Sequence, residues 1–103
     1  MKRIIGGKRY DTDDATLIGE MTSRYSQSDF NYYEEALYLT DNGAYFLAGE
    51  GGPRSKYAVQ FDRTYSSGSS IIPLSKQEAF EWAQENLTPE EVESEFSADI
   101  QDA

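Results

Sequence analysis

The stretch that decides the fold is Glu34–Tyr57, which reads EEALYLTDNGAYFLAGEGGPRSKY. Its first part predicts two antiparallel strands, over residues 34–40 and 44–48. They are joined at Asn42-Gly43, because Asn-Gly supplies the positive φ angles that a tight hairpin turn needs. This hairpin is the element from which the rest of the fold is built.

Both predicted strands carry large side chains on both of their faces. Alternation puts Leu37 and Glu35 on one face and Tyr38 on the other, and it separates Tyr45 from Phe46 in the second strand. A hairpin of this kind is expected to lie at the centre of its sheet, with helices covering one side.

The hairpin continues into a glycine-rich segment, which is the first candidate site. Backbone N–H groups in such a segment could form a nest that cradles an anion. The residues predicted to bind the ligand are Glu50, Gly51, Gly52, Arg54, Ser55 and Lys56. Their spacing matches neither the P-loop nor the dinucleotide fingerprint, and a wide turn between two strands is the competing interpretation.

The composition indicates one small domain without the usual catalytic side chains. The chain has 103 residues, which is enough for a single hydrophobic core. We predict one α+β domain over residues 1–98 and a disordered tail over 99–103. The sequence has no cysteine and no histidine, which excludes thiol nucleophiles, disulfides, the common zinc sites and histidine acid–base catalysis. Neither a cofactor nor a metal site is predicted.

The charge is strongly acidic and unevenly distributed. The net charge is −10, yet the first ten residues carry four positive charges and no negative ones. Residues 76–103 carry nine acids against Lys76 alone. Such a chain is repelled by phosphate backbones, so we expect a basic protein partner and no direct nucleic-acid binding. No apolar run is long enough to span a membrane, and we expect no membrane partner and a cytoplasmic location.

The N-terminal third predicts a hairpin and a helix. Lys2–Tyr10 fits a strand or hairpin that bends at Gly6-Gly7, or else a mobile arm. A helix is expected to begin at Asp11 or Thr12 and to end near Met21 or Ser23. The apolar residues that recur at helical spacing are Ala15, Ile18, Met21 and Tyr25.

After the glycine-rich segment the sequence predicts one more strand, a loop and an edge strand. The strand covers Tyr57–Phe61, and the small polar residues of 64–70 indicate an exposed, mobile loop. Ile71–Leu74 is short and contains Pro73, which restricts it to an edge strand or a strand end.

Two helices are predicted at the C-terminal end, each opened by a capping box. Ser75 with Glu78 and Thr88 with Glu91 both fit that motif. The fold class is therefore α+β, with a small antiparallel sheet of three or four strands, helices packed on one face and a C-terminal helix pair.

The candidate partner-binding surface combines acids and tyrosines. Carboxylates at helical spacing could resemble the phosphates of a nucleic acid, and tyrosine is enriched where proteins meet. The predicted contact residues are Glu81, Glu85, Glu90, Glu91, Glu93, Tyr38 and Tyr45. The alternative interpretation is that these acids are the solvated faces of two helices.

A carboxylate-based enzyme is the third possibility. Glu50 paired with Glu35 or Asp62 could supply general acid–base chemistry. Acids are so frequent in this chain that such pairs arise by chance, and we therefore predict that the protein is not an enzyme.

Most of the chain resembles a group of small acidic proteins encoded on phages and other mobile elements. The central pattern is Leu37-Tyr38-x-Thr40-x-x-Gly43-x-Tyr45-Phe46-Leu47-x-Gly49-Glu50-Gly51-Gly52-Pro53-x-Ser55-x-Tyr57. It is preceded by Gly7-Lys8-x-Tyr10-Asp11-Thr12 and followed by Ile71-Ile72-Pro73-Leu74-Ser75-x-x-Glu78-Ala79-x-x-Trp82-Ala83. The resemblance implies an anti-CRISPR protein, a small inhibitor that blocks a CRISPR effector by binding it and without catalysis. We expect it to act in the cytoplasm of a bacterial host, as a monomer or dimer. It brings no set of functional residues with it.

Overall fold

The computed structural model describes all 103 residues and has α+β architecture, as the sequence predicts. It contains eight strands, two α-helices and one short 3-10 helix over Ser97–Asp99. The elements are β1 (Lys2–Ile5), β2 (Lys8–Asp11), β3 (Thr16–Thr22), β4 (Tyr33–Leu39), β5 (Tyr45–Gly51), β6 (Val59–Phe61), β7 (Thr64–Ser66), β8 (Gly68–Leu74), α1 (Lys76–Asn86) and α2 (Pro89–Phe96). Neither helix is long and apolar enough to cross a membrane.

The predicted Asn42-Gly43 hairpin lies at the centre of the main sheet. That antiparallel sheet has the strand order β3-β4-β5-β8, and Leu37 of β4 lies opposite Leu47 of β5. In the turn, Gly43 has a positive φ of 86°, Asn42 does not, and the Gly43 N–H donates to the Thr40 carbonyl over 2.9 Å. The connection is therefore a longer turn closed by one left-handed glycine, and Asn42 does not contribute the positive φ that the sequence predicts for it.

Both C-terminal helices cover one face of the main sheet, which confirms the predicted packing. The helix-side core consists of Leu37, Tyr45, Leu47, Ala79, Trp82, Ala83, Val92 and Phe96. The Phe96 ring lies 5.5 Å from the Tyr45 ring and 5.2 Å from the Phe80 ring, measured between centroids. Burying one such side chain contributes about 1.5–3 kcal/mol, so this cluster is the main source of stability.

The opposite face of the main sheet is covered by the β1–β2 hairpin. Tyr10 of β2 packs edge-on against Phe46, with ring centroids 5.5 Å apart, and Ile71 completes this second, smaller core. The hairpin turns at Gly6 and Gly7, whose φ angles are 58° and 78°. The predicted hairpin that bends at these glycines is therefore confirmed.

The prediction of a helix that begins at Asp11 or Thr12 is wrong, because the chain forms the strand β3 over Thr16–Thr22. The Asp13 N–H bonds to the Asp11 side chain over 3.0 Å, so the acids form a turn and do not cap a helix. β3 is rich in β-branched residues and pairs along β4. Pairing with the central hairpin outweighs a weak helical pattern.

Ile18 and Met21 are three residues apart, a spacing typical of a helix, and a β-bulge allows both to face the same side of a strand. The register of β3 on β4 shifts between Leu17 and Gly19, which leaves Ile18 as the extra residue. Ile18 and Met21 therefore both pack against the helix-side core, although they are three residues apart. Gly19 allows close packing here, because a Cβ atom would lie 2.7 Å from the Leu87 side chain.

Residues 57–70 also differ from the prediction. The strand is confined to β6, and the residues predicted as a mobile loop belong to β7 and the start of β8. β6 and β7 form a separate two-stranded sheet, with Phe61 opposite Thr64 and a turn in which Asp62 has a φ of 58°. Every residue of these two strands is exposed. Pro73 lies in β8, which is an edge strand as predicted.

Both predicted capping boxes are present. The Ser75 hydroxyl accepts the Glu78 N–H at 3.0 Å, and the Glu78 carboxylate accepts the Ser75 N–H at 2.8 Å. Thr88 and Glu91 make the same pair of bonds at 3.2 and 3.1 Å. These local bonds satisfy N–H groups that would otherwise lack partners at the helix starts.

The C-terminal residues follow α2 closely. Asp99, the first residue of the predicted tail, ends the 3-10 helix, and its carboxylate lies 3.2 Å from the Lys76 ammonium. Residues 100–103 have no regular secondary structure, and their disorder stays a prediction.

Candidate functional site

The carboxylates predicted to bind a partner lie on the solvent side of the two helices. We call this set the acidic helix face, and it consists of Glu81, Glu85, Glu90, Glu91 and Glu93, which are all exposed. The buried sides of the helices hold Trp82 and Phe96 in the core, so the carboxylates project from a fixed support. Glu81 and Glu85 are one turn apart, with roughly 5–6 Å between their Cβ atoms.

No cation of the chain neutralises the acidic helix face. The structure has two ion pairs, Lys56 with Glu35 at 2.9 Å and Lys76 with Asp99 at 3.2 Å. Lys76 is the one cation of residues 76–103, and its partner lies outside the face. Glu91 is partly engaged as a helix cap. The face therefore presents its negative charge to the solvent.

The positive charges lie on the other side of the main sheet. We call β1 and β2 the basic hairpin, and its four cations, Lys2, Arg3, Lys8 and Arg9, are all exposed and form no ion pair. The basic hairpin packs through Tyr10 on the face that is opposite the helices. Two layer spacings, about 20 Å, exceed the Debye length of about 8 Å at physiological salt. The two charged ends therefore do not neutralise each other within one chain.

The two tyrosines predicted to contact a partner lie on opposite faces of the sheet. Tyr38 is half-buried and stacks on Phe46, with ring centroids 5.3 Å apart. Tyr45 is a buried core residue whose hydroxyl donates to Glu95 over 2.5 Å. Burial, followed by the hydrogen bond to Glu95, raises the pKa of Tyr45. Neither tyrosine extends the acidic helix face.

The glycine-rich segment forms the Gly49–Lys56 loop, and its N–H groups donate hydrogen bonds to other groups of the protein. The N–H of Gly52 donates to the Tyr32 carbonyl and that of Arg54 to the Phe30 carbonyl, both over 2.8 Å. The Ser55 hydroxyl donates to the Gly52 carbonyl at 2.8 Å and accepts the Tyr57 N–H at 3.2 Å. These groups are therefore not free to cradle an anion, which argues against the predicted nest.

The side chains of this loop point to a structural role as well. Lys56 pairs with Glu35, and the Arg54 guanidinium lies 6.0 Å from the centre of the Phe30 ring. Gly52 is required by close packing, because a Cβ atom would lie 2.6 Å from the Phe30 carbonyl oxygen. The loop is therefore a structural segment that is bound to residues 30–32.

Glu35 is the charged residue that the sequence did not assign correctly. It is 3% exposed and accepts hydrogen bonds from the Tyr57 hydroxyl at 2.5 Å and the Trp82 indole at 3.0 Å, beside the Lys56 ion pair. Burial acts to raise its pKa, but the bonds from Trp82, Tyr57 and Lys56 outweigh it and hold the pKa of Glu35 below its usual range. Burial and then the bond to Glu35 raise the pKa of Tyr57.

A signal for this buried carboxylate was present in the sequence. Glu35 shares its strand face with Leu37 and Leu39, so a charged side chain there must find polar partners in the core. Which partners it finds depends on chain segments far away, and a single strand pattern does not name them.

Two neighbouring carboxylates, Glu34 and Glu50, lie on the face of the main sheet that is opposite the helices. Glu34 of β4 is directly opposite Glu50 of β5, and the Tyr32 hydroxyl donates to Glu34 over 2.6 Å. The neighbouring Glu34 carboxylate, followed by burial, raises the pKa of Glu50, while Glu50 and then the Tyr32 hydroxyl lower the pKa of Glu34. The two carboxylates therefore differ in pKa in the direction expected when one lies beside another, with the proton favoured on Glu50.

The carboxylates proposed for catalysis are not brought together. Glu35 lies opposite Gly49, on the helix side, whereas Glu50 lies on the other side of the same sheet. Asp62 lies in the turn between β6 and β7. The structure contains no group of three or more side chains that could hold a metal ion.

A scan against protein-family models and searches of curated proteins and solved structures found no match to this chain. Function has to be inferred from the surface of the chain itself, and the unneutralised acidic helix face is its most distinctive feature.

Proposed function

We propose that the protein binds a basic, nucleic-acid-handling host protein through the acidic helix face and thereby blocks its nucleic-acid site. The observation that carries the proposal is the set of five exposed carboxylates, on two capped helices, that no cation of the chain neutralises. A groove that receives a phosphate backbone is lined by lysine and arginine, and it offers the complementary charge.

The chemistry of such binding requires no catalytic group. Complementary charge speeds the diffusional encounter and excludes partners of the wrong sign. The inhibitor then occupies the groove and competes directly with nucleic acid. Packed helices lower the entropic cost of binding, because the backbone that carries these carboxylates is already held in place.

The resemblance to mobile-element proteins favours a CRISPR effector as this host protein. An effector complex holds its guide and target in positively charged channels, so it fits the proposed charge complementarity. The expected setting is the cytoplasm of a bacterial host, and the expected outcome is inhibition without turnover.

The experiment is capture from a bacterial lysate with the tagged protein, followed by a low-salt and then a high-salt wash. We expect a nucleic-acid-binding protein to be retained at low salt and released at high salt, and excess duplex DNA to displace it. The test variant reverses Glu81, Glu85, Glu90 and Glu93 to lysine and leaves the capping residue Glu91 intact. It should capture much less of this protein.

The matched control reverses four exposed acids elsewhere on the chain, namely Asp13, Asp14, Glu20 and Asp41. Net charge changes by the same amount in both variants, so a difference between them reports the location of the charge. Equal loss in both variants, or retention that salt and DNA leave unchanged, would contradict the proposal.

A further inference from the structure

The β6–β7 hairpin exposes large apolar side chains that no other part of the chain covers. Phe61 is 80% exposed, Tyr65 60% and Val59 48%. The hairpin does not join the main sheet, and an isolated two-stranded ribbon is at best marginally stable in water. Val59 and Phe61 project from one face of this ribbon, whereas Tyr65 lies opposite Gln60 on the other face. The exposed pair Val59 and Phe61 marks a contact surface.

The outer edge of β6 has no strand neighbour and no protecting residue. Exposed edges are usually blocked by proline or by charged side chains, and β6 is Val59-Gln60-Phe61. The base of the hairpin is held closely, since a Cβ atom on Gly68 would lie 2.2 Å from the Tyr57 carbonyl oxygen. The edge is therefore presented from a fixed position.

The β6 edge is complementary to itself. Two strands that are related by a two-fold axis perpendicular to the sheet run antiparallel side by side, so the same edge can serve both copies. If the axis passes beside Gln60, Val59 of each copy lies opposite Phe61 of the other. Pairs of aromatic and β-branched side chains are favourable cross-strand neighbours.

We infer that β6 pairs with β6 of a second copy of this chain and joins the two hairpins into one ribbon of strand order β7-β6-β6-β7. This dimer goes beyond the proposed function and does not use the acidic helix face. It satisfies the free β6 edge and covers Val59 and Phe61 in both copies.

The charge of the β6–β7 hairpin favours a second copy of the chain over nucleic acid or anionic lipid as its partner. Residues 57–70 contain one acid and one base, Asp62 and Arg63, so the hairpin has no net charge in a chain of −10. Nucleic acid and anionic lipid would require a cluster of cations. Two copies repel each other elsewhere, and the neutral hairpin lets them meet without bringing their acidic helix faces together.

The contact area sets the expected strength. The exposed parts of Val59 and Phe61 amount to about 200–300 Å² per copy. A standard interface buries about 800 Å² per partner, so we expect this dimer to be weak and to form only at high protein concentration.

The first test is sedimentation equilibrium of the full chain from about 5 to about 500 µM, in low and in high salt. The mean mass should rise from that of one chain, 11.6 kDa, towards twice that value, and salt should not weaken the association. Phe61→Ser should raise the dissociation constant at least about tenfold. Ile4→Ser, which removes another exposed apolar residue, in this case from the basic hairpin, should leave the dissociation constant unchanged.

A cross-linking test locates the contact, because the chain has no cysteine of its own. Gln60→Cys should form an intermolecular disulfide readily, since the two copies of residue 60 face each other. Ser66→Cys should not, because the two β7 strands lie three strand spacings apart, about 14 Å, beyond the reach of a disulfide at about 7 Å. A mass that stays at one chain, or equal cross-linking at both positions, would overturn the inference.

Discussion

The indole N–H of Trp82 donates a hydrogen bond of 3.0 Å to Oε1 of Glu35, 47 residues away in the chain. This bond joins α1 to the central strand β4 inside the core. Lys56 and Tyr57 complete the partners of the same carboxylate, so two segments distant from β4 converge on one buried charge. The position of the acidic helix face depends on this convergence, because it fixes α1 on the sheet.

Removing the buried carboxylate should be strongly destabilising. Glu35→Ala leaves the Lys56 ammonium, the Tyr57 hydroxyl and the Trp82 indole without their partner. We expect a loss of about 3–5 kcal/mol in the free energy of unfolding. Urea titration followed by tryptophan fluorescence measures it. Glu20→Ala, at an exposed position, should stay within about 0.5 kcal/mol of the parent.

Acid should weaken the fold partly through Glu35. Its folded pKa is lowered, so its contribution is complete above the unfolded value of about 4.3 and is lost as the pH falls through the folded pKa. Glu35→Gln cannot titrate. The stability gap between the parent and this variant should therefore shrink as the pH is lowered from 6 to 3, in urea midpoints taken at each pH. A stability gap that does not change with pH would contradict the lowered pKa of Glu35.

Glu50 should change the pH dependence of stability in the direction opposite to that of Glu35. Its folded pKa is raised, so folding favours the protonated form, and this contribution is present in acid and is lost as the pH rises through the folded pKa. Glu50→Gln imitates the protonated carboxyl group opposite Glu34. Relative to the parent, the variant should be more stable at pH 7 than at pH 4. The same difference in stability at both pH values, measured by chemical unfolding, would argue against a raised pKa of Glu50.

Gly49→Ala should displace Tyr57 from its hydrogen bond with Glu35. A Cβ atom at residue 49 would lie far inside contact distance of the Tyr57 ring, whose Cζ would be 2.0 Å away. We expect a destabilisation of about 1–3 kcal/mol from this overpacking. Tyr57→Ala frees the space, so the double variant should cost less than the sum of the two single changes. Additive costs, measured by thermal unfolding, would contradict this contact.

Reversal of the acidic helix face should change the rate of association. With Glu81, Glu85, Glu90 and Glu93 replaced by lysine, the association rate constant for a captured partner should fall and its salt dependence should flatten or invert. Surface plasmon resonance at several salt concentrations measures both. A change confined to the dissociation rate would indicate that short-range contacts dominate instead.

Several local elements were predictable because short-range interactions specify them. The capping boxes of α1 and α2 depend on bonds between residues three apart, Ser75 with Glu78 and Thr88 with Glu91. The central hairpin depends on Gly43, which takes the positive φ at its turn. In each case the deciding atoms lie within a few residues of one another.

Other features depended on partners that are distant in the chain. Ile18 and Met21 imitate a helical repeat, and the pairing of β3 with β4 converts it into a strand with a bulge. The acids of the candidate surface could be named from the sequence, but their separation from the basic hairpin could not. That separation follows from which face of the sheet each terminal segment covers.

The sequence by itself determined the α+β class, the central hairpin, the two capped helices and the excess of acid at the C-terminal end. Tertiary structure alone decided that Glu35 is buried with Trp82, Tyr57 and Lys56, and that the acidic and basic ends lie on opposite faces of the sheet. The physical reason is range: turns and caps are set by neighbours along the chain. The partners of a buried charge and the separation of charged surfaces are set by the packing of remote segments, which no local pattern encodes.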